Sequence, residues 1–89
     1  MDNLQPEVSI IIVNYNVEEL LLKCIASIYQ YCKSSFEIIL IDNNSTDKSV
    51  NAVKQNYPNT KIIENKYNAG FPKANNQGIT IAKGEYIYF

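Results

Sequence analysis

Three polar clusters hold the residues whose types and spacing suit ligand chemistry. The strongest is Ile41-Asp42-Asn43-Asn44-Ser45-Thr46-Asp47, where an aspartate closes an apolar run just ahead of a helical pattern. A carboxylate held there accepts an N–H from a base edge or a hydroxyl from a ribose. The second is Asn14-Tyr15-Asn16, whose aromatic face would stack on a planar base without demanding a particular heteroatom pattern. The third runs from Asn68 through Gly70 to Lys73. Its glycine permits a backbone geometry closed to other residues, the helix that follows offers unpaired N–H groups to an anion, and the lysine adds a point charge. Each cluster also has a plainer reading. Asp42, Asn43 and Asn44 are turn formers, Asn16 and Ser45 serve as helix caps, Tyr15 packs under its own helix, and Lys73 is a solvated surface lysine.

The elements that must position these clusters follow from the apolar pattern. Residues 8–13 form a β-branched run without alternation, which is the pattern of a strand covered on both faces. Asn16 followed by Glu19 resembles a capping box, and Leu21, Cys24, Ile25, Ile28 and Cys32 share one helical face. Residues 36–41 form a second buried strand. Ser45 is expected to cap the next helix, with Asp47 in its first turn, Val50, Val53 and Tyr57 inward, and Pro58 as its stop. Residues 61–64 make a shorter strand, and a helix runs from about Phe71 to Ala82 with Pro72 early in it. Gly78 within that helix marks close packing on a sheet. Gly84 is placed where a left-handed C-terminal cap is needed, and residues 86–89 open a fourth strand.

Strands alternating with helices, each strand apolar throughout, predict an α/β fold. It is a parallel sheet of about four strands in the order 3-2-1-4, with helices on both faces, in the manner of a Rossmann-like half-domain. The order of growth reverses between strands 1 and 4, and ligands bind beside the carboxyl ends of strands at such a point. The domain reading is a tail over residues 1–7 and one unit over 8–89.

Composition removes several function classes. In 89 residues there are 8 basic and 9 acidic side chains, a net charge of −1 and a hydrophobic fraction of 46%. The lysines are scattered, so no nucleic-acid groove is expected. All the basic residues are lysines and there is no histidine, so neither a bidentate guanidinium nor an imidazole base or metal ligand is at hand. No phosphate loop, no G-x-G-x-x-G after the first strand and no zinc-type Cys/His spacing is found. Cys24 and Cys32 lie about 12 Å apart along one helix, beyond disulfide reach. Unpaired thiols, an N-terminus unlike a secretory signal and the lack of a membrane-length apolar run give a cytoplasmic reading.

Taken in order, the stretches 8–16, 37–47, 68–79 and 84–89 resemble family 2 glycosyltransferases of the GT-A fold, particularly the bacterial rhamnosyltransferase-like members. The resemblance implies a nucleotide-diphospho-sugar donor and a saccharide acceptor, in the making of polysaccharide or cell-surface glycan. It assigns nucleotide contacts to Tyr15, Asn16, Asp42, Asn43, Asn68, Gly70 and Lys73. It also implies a divalent cation, magnesium or manganese, on an Asp-x-Asp-type motif past Phe89, and a carboxylate general base farther on that gives inversion. The 89 residues are therefore expected to be a nucleotide-binding half, with no catalytic residue, no metal ligand and no turnover alone. The full enzyme would sit free in the cytoplasm or against the inner face of the cell membrane. An open edge at strand 4 leaves room for dimerisation. The alternative is a stand-alone nucleotide-binding or protein-interaction module.

Overall fold

The computed structural model describes residues 5–89. The elements are β1 (Val8–Asn14), α1 (Glu18–Tyr31), β2 (Phe36–Asp42), α2 (Ser49–Asn56), β3 (Lys61–Glu64), α3 (Phe71–Ile81) and β4 (Tyr86–Tyr88). All four strands are parallel and stand in the order β3-β2-β1-β4, as expected. The first four residues of the expected tail lie outside the described residues. Backbone pairing begins at Glu7, whose N–H donates to Ser35 O and whose carbonyl accepts from Tyr86 N.

The unbroken apolar runs have a direct cause, because alternate side chains of each inner strand enter different cores. On one face Ile12, Ile38 and Leu40 meet Leu21 and Ile25 of α1 and Val53 of α2. On the other, Ile11, Ile39 and Ile41 meet Ala74 of α3. Burying each such aliphatic side chain contributes about 1.5–3 kcal/mol, so β2, wholly buried from Ile38 to Asp42, is the spine of the sheet. Gly78 lets α3 press on β1, since a Cβ there would stand 2.6 Å from Ile11 Cγ2. No helix among the described residues is long and apolar enough to cross a membrane.

Four local expectations are corrected. The capping box at Asn16 does not form: α1 starts at Glu18 with Val17 at the cap position, and Asn16 turns its side chain to another loop. Ser45 does not cap α2, which begins at Ser49; its hydroxyl and N–H are committed to Asp42. Cys24 is exposed rather than inward, because it lies about 100° round the helix from the buried Ile25. Gly84 adopts no left-handed conformation. It is required for space, as a Cβ would stand 2.6 Å from Ser9 N and Oγ.

Candidate functional site

The carboxyl ends of β1, β2 and β3 lie in one row, with Asn14 opposite Asp42 and Asp42 opposite Glu64. The loops that follow are joined by a nearly buried polar network. Asn14 is its hub. Its Nδ2 lies within hydrogen-bond distance of Asp42 Oδ1 at 2.8 Å, Ser49 Oγ at 2.8 Å and Ser45 Oγ at 3.1 Å, one of its two hydrogens being shared between two acceptors, and its side chain is fully buried. Its Oδ1 has no protein partner.

Asp42 is 3% exposed. Its Oδ1 also accepts the Ser45 hydroxyl at 2.7 Å, and its Oδ2 accepts Ser45 N–H at 2.9 Å. A carboxylate offers about four lone-pair sites, so three internal bonds leave roughly one, on Oδ2, for another donor. The carboxylate is thereby fixed in direction as well as in place.

Asn16 sits at φ 54°, in the left-handed region that asparagine tolerates. From there its Oδ1 accepts Thr46 N–H at 2.7 Å and Asp47 N–H at 3.3 Å, while its own N–H donates to Ser45 Oγ at 2.9 Å. The loop after β1 is thus stitched to the loop after β2. Asp47 completes the seam by accepting from the Ser49 hydroxyl and N–H and from Glu18 N–H. The Ser49 hydroxyl, the largest influence, holds the Asp47 carboxyl below its ordinary range; burial opposes it, and the neighbouring backbone N–H groups add to the lowering.

Asn43, 2% exposed, performs the same service toward the loop before α3. Its Oδ1 accepts Asn65 Nδ2 at 2.9 Å and Ala69 N–H at 3.3 Å, and its Nδ2 donates to Gly70 O at 3.4 Å. Asn65 and Gln77 close a reciprocal amide pair at 2.8 and 2.9 Å. Gly70 takes φ 85°, where a side chain would be strained, and caps α3, with its N–H given to Asn68 Oδ1 at 2.9 Å. Lys73 Nζ donates to Tyr67 Oη at 3.1 Å.

Of the seven residues singled out in the sequence, Asp42 and Asn43 are buried in this network and Gly70 is half-buried. Tyr15, Asn16, Asn68 and Lys73 are exposed. Tyr15 is 50% exposed and pairs with no other ring among the described residues. Sequence reasoning passed over Asn14, Ser49, Asn65 and Gln77. The available signal was register: in a parallel pair of equal strands, Asn14 must stand opposite Asp42. Among the described residues no group of three or more His, Cys, Asp or Glu is placed to hold a metal ion. A depression of about 500 Å³ lined by Gln5, Pro6, Ser35, Phe36 and Glu37 lies at the amino end of the sheet, away from these loops.

The family model described as glycosyl transferase family 2 matches residues 9–89. A poly(ribitol-phosphate) beta-glucosyltransferase of Bacillus spizizenii is 43% identical over 93% of this chain, and the match takes in 14% of that protein. An uncharacterized glycosyltransferase, YibD of Escherichia coli, is 36% identical over 100% of this chain and 26% of its own length. The chain therefore spans no more than about a quarter of these two relatives. Among solved structures, the mannosyltransferase PcManGT from Pyrobaculum calidifontis, in complex with GDP-Man and Mn2+, superposes with a TM-score of 0.81 at 25% identity. That likeness covers 96% of this chain and 27% of the mannosyltransferase.

Proposed function

The chain belongs to glycosyl transferase family 2, and from that premise we propose that it supplies the nucleoside-binding part of an inverting glycosyltransferase. The donor is a nucleotide-diphospho-sugar, and the product is a polysaccharide or cell-surface glycan. One observation carries this reading. A half-exposed, unstacked Tyr15 follows directly on Asn14, which fixes a buried Asp42 with one acceptor position to spare. The Tyr15 ring flanks the base, and Asp42 Oδ2 accepts from the base or the ribose. Asn16 and Asn43 act by shaping the loops that frame the nucleoside. Asn68, Gly70 and Lys73 line the diphosphate side, where the α3 N-terminus and the lysine favour an anion.

The solved mannosyltransferase holds a nucleotide-sugar and a divalent cation, which supports both as ligands of the longer protein. The residues described here do not form a set fit to hold that cation. On the family pattern, the metal motif and the general base are carried by sequence outside this stretch. This chain alone then binds nucleotide weakly and turns over no donor.

The test is an NMR titration of the 89-residue chain with UDP-, GDP- and dTDP-sugars. Shifts at Tyr15, at Asp42 to Ser45 and at Asn68 to Lys73 are expected for at least one base. Silence at all three loops in millimolar ligand would overturn the reading. In a longer form of the enzyme, Asp42→Asn should raise KM for the donor, since the amide nitrogen can accept neither from Ser45 N–H nor from the nucleoside.

A further inference from the structure

At the opposite end of the sheet stands a second polar cluster that the nucleotide reading does not use. Ser9 is fully buried on the central strand β1. Its hydroxyl donates to Glu37 Oε2 at 2.6 Å and accepts Gly84 N–H at 2.7 Å. The same Glu37 oxygen accepts Lys83 N–H at 2.7 Å, and Oε1 meets Lys61 Nζ at 2.8 Å. One carboxylate on β2 thus gathers a hydroxyl from β1, an ammonium from β3 and a backbone N–H from the turn that leads into β4.

That turn needs holding. β4 forms only three register pairs with β1. Its side chains contribute little burial, with Tyr86 53%, Ile87 36% and Tyr88 62% exposed. Within these 89 residues β4 stands at the edge of the sheet, where a short strand with so little apolar surface covered opens easily unless other bonds fix its start. The turn is also in tight contact with β1, because a Cβ on Gly84 would meet Ser9 N and Oγ at 2.6 Å.

We infer that Ser9 and Glu37 are positioning residues that latch the 83–84 turn to β1 and β2 and so set the register of β4. The inference is independent of what the carboxyl-end loops bind. Its reach is long. Ser9 and Glu37 lie five residues before Asn14 and Asp42, roughly 16 Å along the strands. Because β4 is parallel to β1 and pairs with residues 8–10, a latch at its amino end decides which β1 residues it faces.

Amide hydrogen exchange on the full 89-residue chain tests this. In Ser9→Ala and Glu37→Gln, the β4 amides should exchange about tenfold faster or more, while β2 amides at Ile39 to Ile41 keep their rates. Lys61→Met, which removes only the ion pair, should have the smaller effect. Unchanged β4 rates in both latch variants, or loss of β2 protection in step with β4, would overturn the inference. Should either variant fail to fold, the unaltered protein decides the matter: Lys83 and Gly84 amides must be protected far beyond an exposed turn, and exchange at turn-like rates would sink the latch.

Discussion

The two ends of this sheet solve the same problem with different chemistry. At the carboxyl end, Asn14, Asn16, Asn43, Asn65 and Gln77 hold three loops together largely through neutral amides and hydroxyls, with Asp42 and Asp47 as the ionised acceptors. At the amino end, a single carboxylate, Glu37, binds a hydroxyl, a backbone amide and an ammonium. The first arrangement fixes shape over a wide area and leaves Tyr15, Asn68 and Lys73 exposed at its surface. The second fixes one short strand from one point. Removing a member should therefore deform the upper end broadly and loosen the lower end locally.

The largest effect is expected from Asn14→Ala. It removes a donor from the buried Asp42 Oδ1 and from two hydroxyls, each left with one fewer partner, and empties a fully buried site. It should lower stability by about 2–4 kcal/mol, read as a fall in the urea midpoint. A loss under 1 kcal/mol would mean that the upper network is far less cooperative than the lower latch. Next comes Gly84→Ala, where the added methyl meets the backbone of Ser9 and cannot be avoided by a rotamer change. A loss of about 1–3 kcal/mol is expected, with β4 amides the first to open in hydrogen exchange.

Acid provides a third way to separate the ends. Burial, the largest single influence, raises the Glu37 carboxyl, but Lys61, the Ser9 hydroxyl and Lys83 N–H together outweigh it and hold the group below its ordinary 4.5. A depressed carboxyl contributes stability that is full above 4.5 and fades as pH falls through the folded-state value. The β4 amides should thus lose protection on acidification below that range, and Glu37→Gln should erase the step. If the variant keeps the same acid profile, the step belongs to another carboxyl such as Asp47. The smallest effect on stability belongs to Tyr15→Ala, at most about 0.5 kcal/mol for a half-exposed ring without aromatic partners. That same variant should abolish nucleotide-induced shifts in the upper loops, which a structural role would leave intact.

The architecture was legible because it rests on local pattern. β-branched runs at 8–13 and 36–41 could only be strands covered on both sides, and Gly78 inside a helix announced the contact with Ile11. The place of the candidate site was legible in outline, since Asp42 closing one strand and Tyr15 following another are local facts too. What escaped were roles set by tertiary partners, most of them 22 to 31 positions away. Asn16 looked like a cap for its own helix, yet the amides it satisfies belong to Thr46 and Asp47. Asn43 looked like a turn former, yet it bonds Asn65, Ala69 and Gly70. Ser45 suited a helix start, but a charged acceptor three residues back is a stronger partner than an exposed helix end.

The Asn43–Asn65–Gln77 clasp carries no formal charge. Ionic strength, which screens exposed charges beyond about 10 Å at 0.1 M, has little to act on there. Added electrolyte should therefore leave this clasp, and the loop before α3 that it holds, in place.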